Sequence, residues 1–284
     1  MSRSDRAGSW RRSVFFALLE LATALALAFL LLPLVAIFLR VPPGELFAQL
    51  GSEVAVDALV VTLKANAIAQ ALILALGTPA AYFIASRRFR GRALVVTLVE
   101  LPLVLPPAVA GLALLAAFGR LGLLGGTFDA LGVSVSFTQT AVVLAVAYVA
   151  SPFYIRQAIA SFEALDQPLL DASRTLGAGP ARTFFRIALP LAARGLSAGA
   201  ALSFARGIGE FGATIMFAGS LQGVTQTLSL AIYAQFALDF DVALALGALL
   251  VIVSAAILLT VKLLPAWTRS NSTSLFPFAR FGSS

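Results

Sequence analysis

Long apolar runs, broken by short stretches rich in arginine, acid, glycine or proline, set the pattern of this chain. They cover residues 13–39, 58–86, 93–118, 138–160, 191–218 and 242–264. Each exceeds the roughly 20 residues that an α-helix needs to cross a hydrocarbon core about 30 Å thick. The pattern predicts six transmembrane helices and an all-α integral membrane protein. It divides the chain into an N-terminal segment over 1–12, a first span over 13–39, a main membrane domain over 57–264 that includes a polar loop at 166–190, and a tail over 265–284. Lys64, near the start of the second run, has a stem long enough to snorkel to the interface.

Basic residues are placed unevenly between the runs. Arg3, Arg6, Arg11 and Arg12 precede the first; Arg87, Arg88, Arg90 and Arg92 fall in the second connection; Arg156, Arg174, Arg182, Arg186 and Arg194 fall in or beside the fourth; Lys262, Arg269 and Arg280 lie at the carboxyl end. Of the 20 lysines and arginines, only Arg40, Lys64, Arg120 and Arg206 lie elsewhere. Glu45, Glu53, Asp57, Asp129, Asp239 and Asp241 sit in or beside the odd-numbered connections. Because cytoplasmic loops carry the excess of positive charge, both termini are predicted to be cytoplasmic.

The stretch WRRSVFFALL near the start also resembles a twin-arginine export signal. The apolar run behind it is long for a signal core, and Glu20 interrupts it without a small-x-small cleavage site, so an uncleaved first helix is expected. The tail SNSTSLFPFARFGSS is polar with scattered aromatics and reads as a loosely ordered end.

Composition narrows the chemistry. Mean hydropathy is +0.96, and 12% of residues are charged, about half the share usual in soluble domains. A net charge of +7 then reflects basic loops at a membrane surface rather than a nucleic-acid partner. With no cysteine and no histidine, disulfides, thiol nucleophiles, histidine bases and most transition-metal sites are excluded. Phosphate-loop, zinc-protease and nucleophile-elbow motifs are absent from the sequence. Any energy must come from an ion gradient or from another chain, and no cofactor is expected on this one. An intramembrane enzyme has few candidate groups. A gradient-driven transporter usually carries an inverted repeat and coupling acids, neither of which is evident.

The loop DASRTLGAGPARTFFRIALP at 171–190 is a polar island. Asp166 can cap a short helix with Pro168 in its first turn, Gly177 suits the left-handed position that ends it, Pro180 suits the start of a second, and Pro190 is expected to stop that one. Leu169, Leu170, Leu176, Phe184, Phe185 and Ile187 supply apolar anchors between Arg174, Arg182 and Arg186. Such an element either packs under its own bundle or docks a protein partner.

Asp171, Ala172, Ser173, Gly177, Ile187, Leu189 and Pro190 reproduce the spacing E-A-A-x3-G-x9-I-x-L-P, with aspartate and serine at two positions. This resembles the EAA loop of ABC importer permeases, in which the loop docks on the ATP-binding subunit. LPLVLPPAVAGLALLAAFGRLGLLG at 101–125, FARGIGEFGAT at 204–214 and TQTLSLAIY at 225–233 are similar to the molybdate transport permeases and, in part, to sulfate permeases. The resemblance runs over about 57–264. It implies the type I ABC importer permease fold and a homodimer of permease subunits in the bacterial or archaeal plasma membrane. It also implies two ATP-binding subunits carrying ATP and Mg, and an extracytoplasmic oxyanion-binding protein. Residues 171–173, Gly177, Phe184, Ile187, Leu189 and Pro190 would then form the coupling loop.

Two segments are candidates for the pathway. Pro102, Pro106 and Pro107 lie within the third run, each removing an N–H and bending the helix. Broken backbone is tolerated in a bilayer where it is buried or lines a cavity, so this segment is either a pathway wall or a static kink. Arg206 and Glu210 are four apart in the fifth run, which puts them on one helix face in the middle of an apolar segment. They form either an electropositive station for a dianion with its carboxylate partner or a purely structural ion pair. Gly207, Gly209, Gly212, Ala213 and Thr214 surround them, with small residues that permit close approach or bending. Thr225, Gln226 and Thr227 are expected in an external loop, either offering donors near the mouth or simply solvated.

Overall fold

The computed structural model describes residues 3–272, and every regular element among them is helical. The tail from 273 onward lies outside the described residues. Helix α1 (Arg3–Arg40) is longer than the first apolar run and is followed by the short α2 (Pro43–Leu50). Helix α3 (Glu53–Ser86) begins where Ser52 Oγ accepts the Ala55 N–H at 3.2 Å. Glu53 in its first turn adds favourable charge at the positive end of the helix dipole.

The third apolar run is not one helix. It forms α4 (Arg92–Val104) and α5 (Pro107–Phe118), whose axes differ by 113°. A residue that precedes proline is driven out of the helical region, and here two in succession are so constrained. Leu105, before Pro106, adopts φ −68°, ψ 133°; Pro106, before Pro107, adopts φ −54°, ψ 134°. Two extended residues in a row turn the chain, and Pro107 restarts the helix at its first position, where a missing N–H costs little. With 13 and 12 residues, each half is about 20 Å long and too short to span alone.

A short α6 (Gly125–Ala130) leads to α7 (Gln139–Glu163), the centre of the bundle, which packs against α3, α4, α5 and the later helices over 189–208 and 212–218. The contact with α3 is built from small side chains. Ala65, Ala69, Ala141 and Ala145 are buried together, which lets the two backbones approach and gain dispersion contacts in a medium as apolar as they are. Further along, Gly77 leaves room for Tyr154, whose ring carbon Cδ1 is 3.0 Å from where a Cβ would stand.

Beyond α7 come α8 (Gln167–Thr175) and α9 (Pro180–Thr183), then a single wide π-turn over Phe184–Ala188 and α10 (Leu189–Ile208). Pro190 therefore does not stop a helix. It sits in the first turn of α10, directly after the π-turn, where the Leu189 N–H reaches back five residues to the Phe184 carbonyl. The widened turn carries the helical path through the proline instead of ending it.

The fifth run is also interrupted. Helix α10 ends at Ile208, Gly209 to Phe211 are non-helical, and the separate α11 (Gly212–Ala218) follows. The loop after it leads to α12 (Leu228–Phe236) and α13 (Phe240–Ser272). Helix α13 continues into the opening residues of the expected tail. Among the described residues, five helices are long and apolar enough to span, six when the bent α4/α5 pair is taken as one.

Candidate functional site: an interrupted-helix cavity and a bent polar element

The two breaks meet. Gly212, at the start of α11, sits against Pro107 at the start of α5: a Cβ there would lie 2.7 Å from Pro107 Cβ. Gly111, one turn on in α5, faces Ala213 and Met216, with the Ala213 carbonyl oxygen 2.6 Å from its would-be Cβ. Only glycine permits this backbone-to-backbone approach. Beside the junction, Pro102, Leu103, Leu105, Pro107, Ala110, Val149, Phe153 and Arg206 line a cavity of about 110 Å³. Its one charged lining residue is Arg206.

Glu210 is not on the same helix as Arg206, because α10 has ended two residues earlier. Its carboxylate folds back so that Oε2 is 2.7 Å from Arg206 Nη2, while Oε1 accepts the Ala213 N–H at 2.8 Å. Glu210 is 1% exposed and Arg206 29%. The carboxylate is therefore held from two sides, and the guanidinium it fixes looks into the cavity. Thr214 is wholly buried in α11, while Gly209 faces open space. Neither these two nor Pro106 is among the cavity residues.

Polar rungs on α3, which the sequence reading passed over, support the interruptions. Asn66 Nδ2 donates to the Phe204 carbonyl at 2.9 Å, and Gly207 leaves space for the Asn66 amide. Thr62 Oγ1 accepts the Leu228 N–H at 2.8 Å and donates to its own helix at Ala58. Orphan backbone groups at a helix break must be satisfied within the membrane, and these side chains provide partners. The legible signal was a polar pair at i and i+4 in an otherwise apolar span.

Thr225, Gln226 and Thr227 are buried rather than solvated at a mouth. Thr225 Oγ1 accepts the Leu221 N–H at 2.9 Å, and Gln226 Nε2 donates to Ser220 Oγ at 3.2 Å. The Thr225 and Gln226 polar atoms hold the loop's own backbone and side chains, while the buried Thr227 Oγ1 has no hydrogen-bond partner among the described residues.

At the other end of the bundle, the loop forms the bent element expected. Gly177 has φ +83°, the left-handed region, and Pro180 opens α9. Its apolar residues divide: Leu170 is buried, Phe184 and Ile187 are partly buried, while Leu169, Leu176 and Phe185 are exposed. Phe184 packs on Tyr82 and Phe162, with ring centres 4.7 and 6.3 Å away. Ser173 is buried, donates to the Leu170 carbonyl at 2.7 Å and meets Thr183 Oγ1 at 3.3 Å, so its hydroxyl ties α8 to α9. Asp171, Ala172 and Pro190 are exposed, and Leu189 is partly buried.

Two further ion pairs join α4 to α7. Arg92 engages Glu163 and also donates through Nε to the Ile84 carbonyl at 3.0 Å. Arg156 Nε is 3.0 Å from Glu100 Oε1.

A helical bundle with interrupted spans, a cation in an intramembrane cavity and a bent polar element on one end defines a membrane transport protein. The chain belongs to the binding-protein-dependent transport system inner membrane component family, whose profile matches residues 77–269. It is 43% identical over 242 residues to the molybdenum transport system permease protein ModB of Mycobacterium bovis, covering 83% of this chain and 89% of that protein. Identity to the ModB of Escherichia coli K12 is 40% over 178 residues, covering 62% and 78%. In fold it resembles a bacterial alginate ABC transporter solved in complex with an alginate pentasaccharide-bound periplasmic protein. That match has a TM-score of 0.72 at 17% identity, over 88% of this chain and 93% of that one. The inward-facing MetNI methionine ABC transporter matches with a TM-score of 0.58 at 18% identity, over 74% and 94%.

Proposed function

We propose that this chain is the permease subunit of an ATP-driven importer of a tetrahedral oxyanion, molybdate or tungstate foremost, with sulfate as the second reading. The observation that carries the transport role is the Arg206 guanidinium, pinned by Glu210 and turned into a cavity between two interrupted spans. A planar cation with several N–H donors suits an oxyanion. The name of the Mycobacterium bovis relative supports molybdenum as the element carried.

In this reading the chain itself performs no covalent chemistry and binds no cofactor. Two copies form the pathway; two ATP-binding subunits, holding ATP and Mg, seat the α8/α9 elements; an extracytoplasmic protein delivers the anion. Both termini are then cytoplasmic. The exposed Leu169, Leu176 and Phe185, with Arg182 and Arg186 beside them, form the apolar, basic-rimmed surface such a docking needs. Helix α1 supports the pairing of copies, since the apolar window of its span buries none of itself in its own subunit. Closure of the ATPase pair would tilt the helices between two states.

The test is uptake of labelled molybdate by the complete complex in liposomes, with tungstate and sulfate as competitors. Uptake dependent on ATP and on the binding protein, lost in Arg206→Ala, is the expected result. Transport by this chain unaided would overturn the reading.

A further inference from the structure

The α4–α7 seam carries the argument beyond Arg206. Helix α4 contributes Pro102 and Leu103 to the cavity, and α7 contributes Phe153. Glu100 lies two and three residues before the α4 pair; Arg156 lies three residues after Phe153. The two helices run antiparallel, as the pairings Arg92 with Glu163 and Arg156 with Glu100 require. Both charged residues are therefore displaced from the cavity in the same direction, by about 4.5 Å of helix rise, toward the end that carries α8 and α9.

The two arginine pairs differ in how tightly the carboxylate is held. Glu210 is buried and anchored a second time by the Ala213 N–H. Glu100 is 36% exposed, Arg156 is 57% exposed, and Glu100 makes no hydrogen bond to a second partner among the described residues. A carboxylate held by one contact in a partly open setting is exchangeable; a doubly anchored, buried one is not.

We propose that Arg156 and Glu100 form a second, exchangeable oxyanion station. A tetrahedral dianion leaving Arg206 displaces Glu100 from the Arg156 guanidinium, and the freed carboxylate then repels it onward. Between passages, Glu100 keeps the arginine neutralised near the membrane. This rests on the reading that the Arg206 cavity lies on the anion's path.

The experiment uses the full complex in liposomes with labelled molybdate as probe. Arg156→Ala lowers uptake about tenfold while ATP hydrolysis continues, and Arg156→Lys, which keeps charge but loses the planar fork, gives an intermediate rate. The melting temperature of each variant separates loss of the station from loss of the fold. Glu100→Gln removes the competitor, so molybdate trapped inside the vesicle inhibits further uptake at about tenfold lower concentration. Normal uptake in Arg156→Ala or an unshifted inhibition in Glu100→Gln would overturn the proposal. Arg206→Ala separates the two levels. If it slows transport while Arg156→Ala does not, only the second station falls; if it too is normal, the underlying pathway reading falls.

Discussion

At the scale of single residues, Glu210 has two separable duties: charge partner of Arg206 and acceptor for the Ala213 N–H. Glutamine keeps an acceptor and loses the charge, whereas alanine removes both and leaves a largely buried guanidinium unpaired. Glu210→Ala should therefore lower stability by about 3–5 kcal/mol, read as a lower thermal midpoint in detergent, with Glu210→Gln less affected. Arg206→Ala should impair uptake more than Glu210→Gln does; equal and negligible effects of both would leave the pair a structural role only. Gly177 isolates a different cause. Nothing lies within 4 Å of its would-be Cβ, so a side chain there meets no clash, only a left-handed backbone at φ +83°. Gly177→Val should cost about 1–2 kcal/mol locally, distort the bend, and reduce uptake and transport-stimulated ATPase together. Gly177→Asn should be far milder, because asparagine tolerates that region. Full activity in the valine variant would show that the bend does not transmit anything.

At the scale of elements, run length made the spans legible, since few other arrangements accommodate more than 20 successive apolar residues. The breaks were only half legible. Pro106 and Pro107 announced a disturbance, but a kink and a 113° fold-back share the same residues, and the packing of α11 selects between them. The break after Ile208 was hidden because glycines are common in continuous membrane helices; the telling residue was Glu210, which needs the extra N–H that a new helix start supplies. Directly after the buried Thr225 to Thr227, the Leu228 N–H donates to Thr62, 166 residues away, a pairing that no local pattern encodes. Within the bent loop, the spacing located the turn at Gly177 and the helix start at Pro180 but not the helical passage through Pro190, and it could not sort Leu170 and Phe184, which face the bundle, from Leu176 and Phe185, which do not. The junction of α5 with α11 yields a direct test. In Gly111→Ala the new methyl would meet the backbone of Ala213, which cannot swing aside as a side-chain tip can. Destabilisation by about 1–3 kcal/mol is expected, measured by thermal unfolding; an unchanged midpoint would mean the two helices separate freely.

At the scale of the whole molecule, α1 stands apart from the bundle it belongs to, touching mainly α13. If a second copy covers it, a cysteine introduced at the exposed Phe29 should cross-link between subunits in membranes. The chain has no cysteine of its own, so the background is clean. Failure to cross-link at any position on the exposed face of α1 would leave that helix to lipid alone. The grip of α3 on α10 has a mechanical corollary. Asn66 holds the Phe204 carbonyl, close to Arg206 and far from Leu189. With that point as fulcrum, the long arm to Leu189 is about 22 Å and the short arm to Arg206 about 3 Å. A tilt of about 10° sweeps the far end through roughly 4 Å while the helix axis at Arg206 shifts by about half an ångström. The far end of α10 swings; the level of Arg206 stays nearly still.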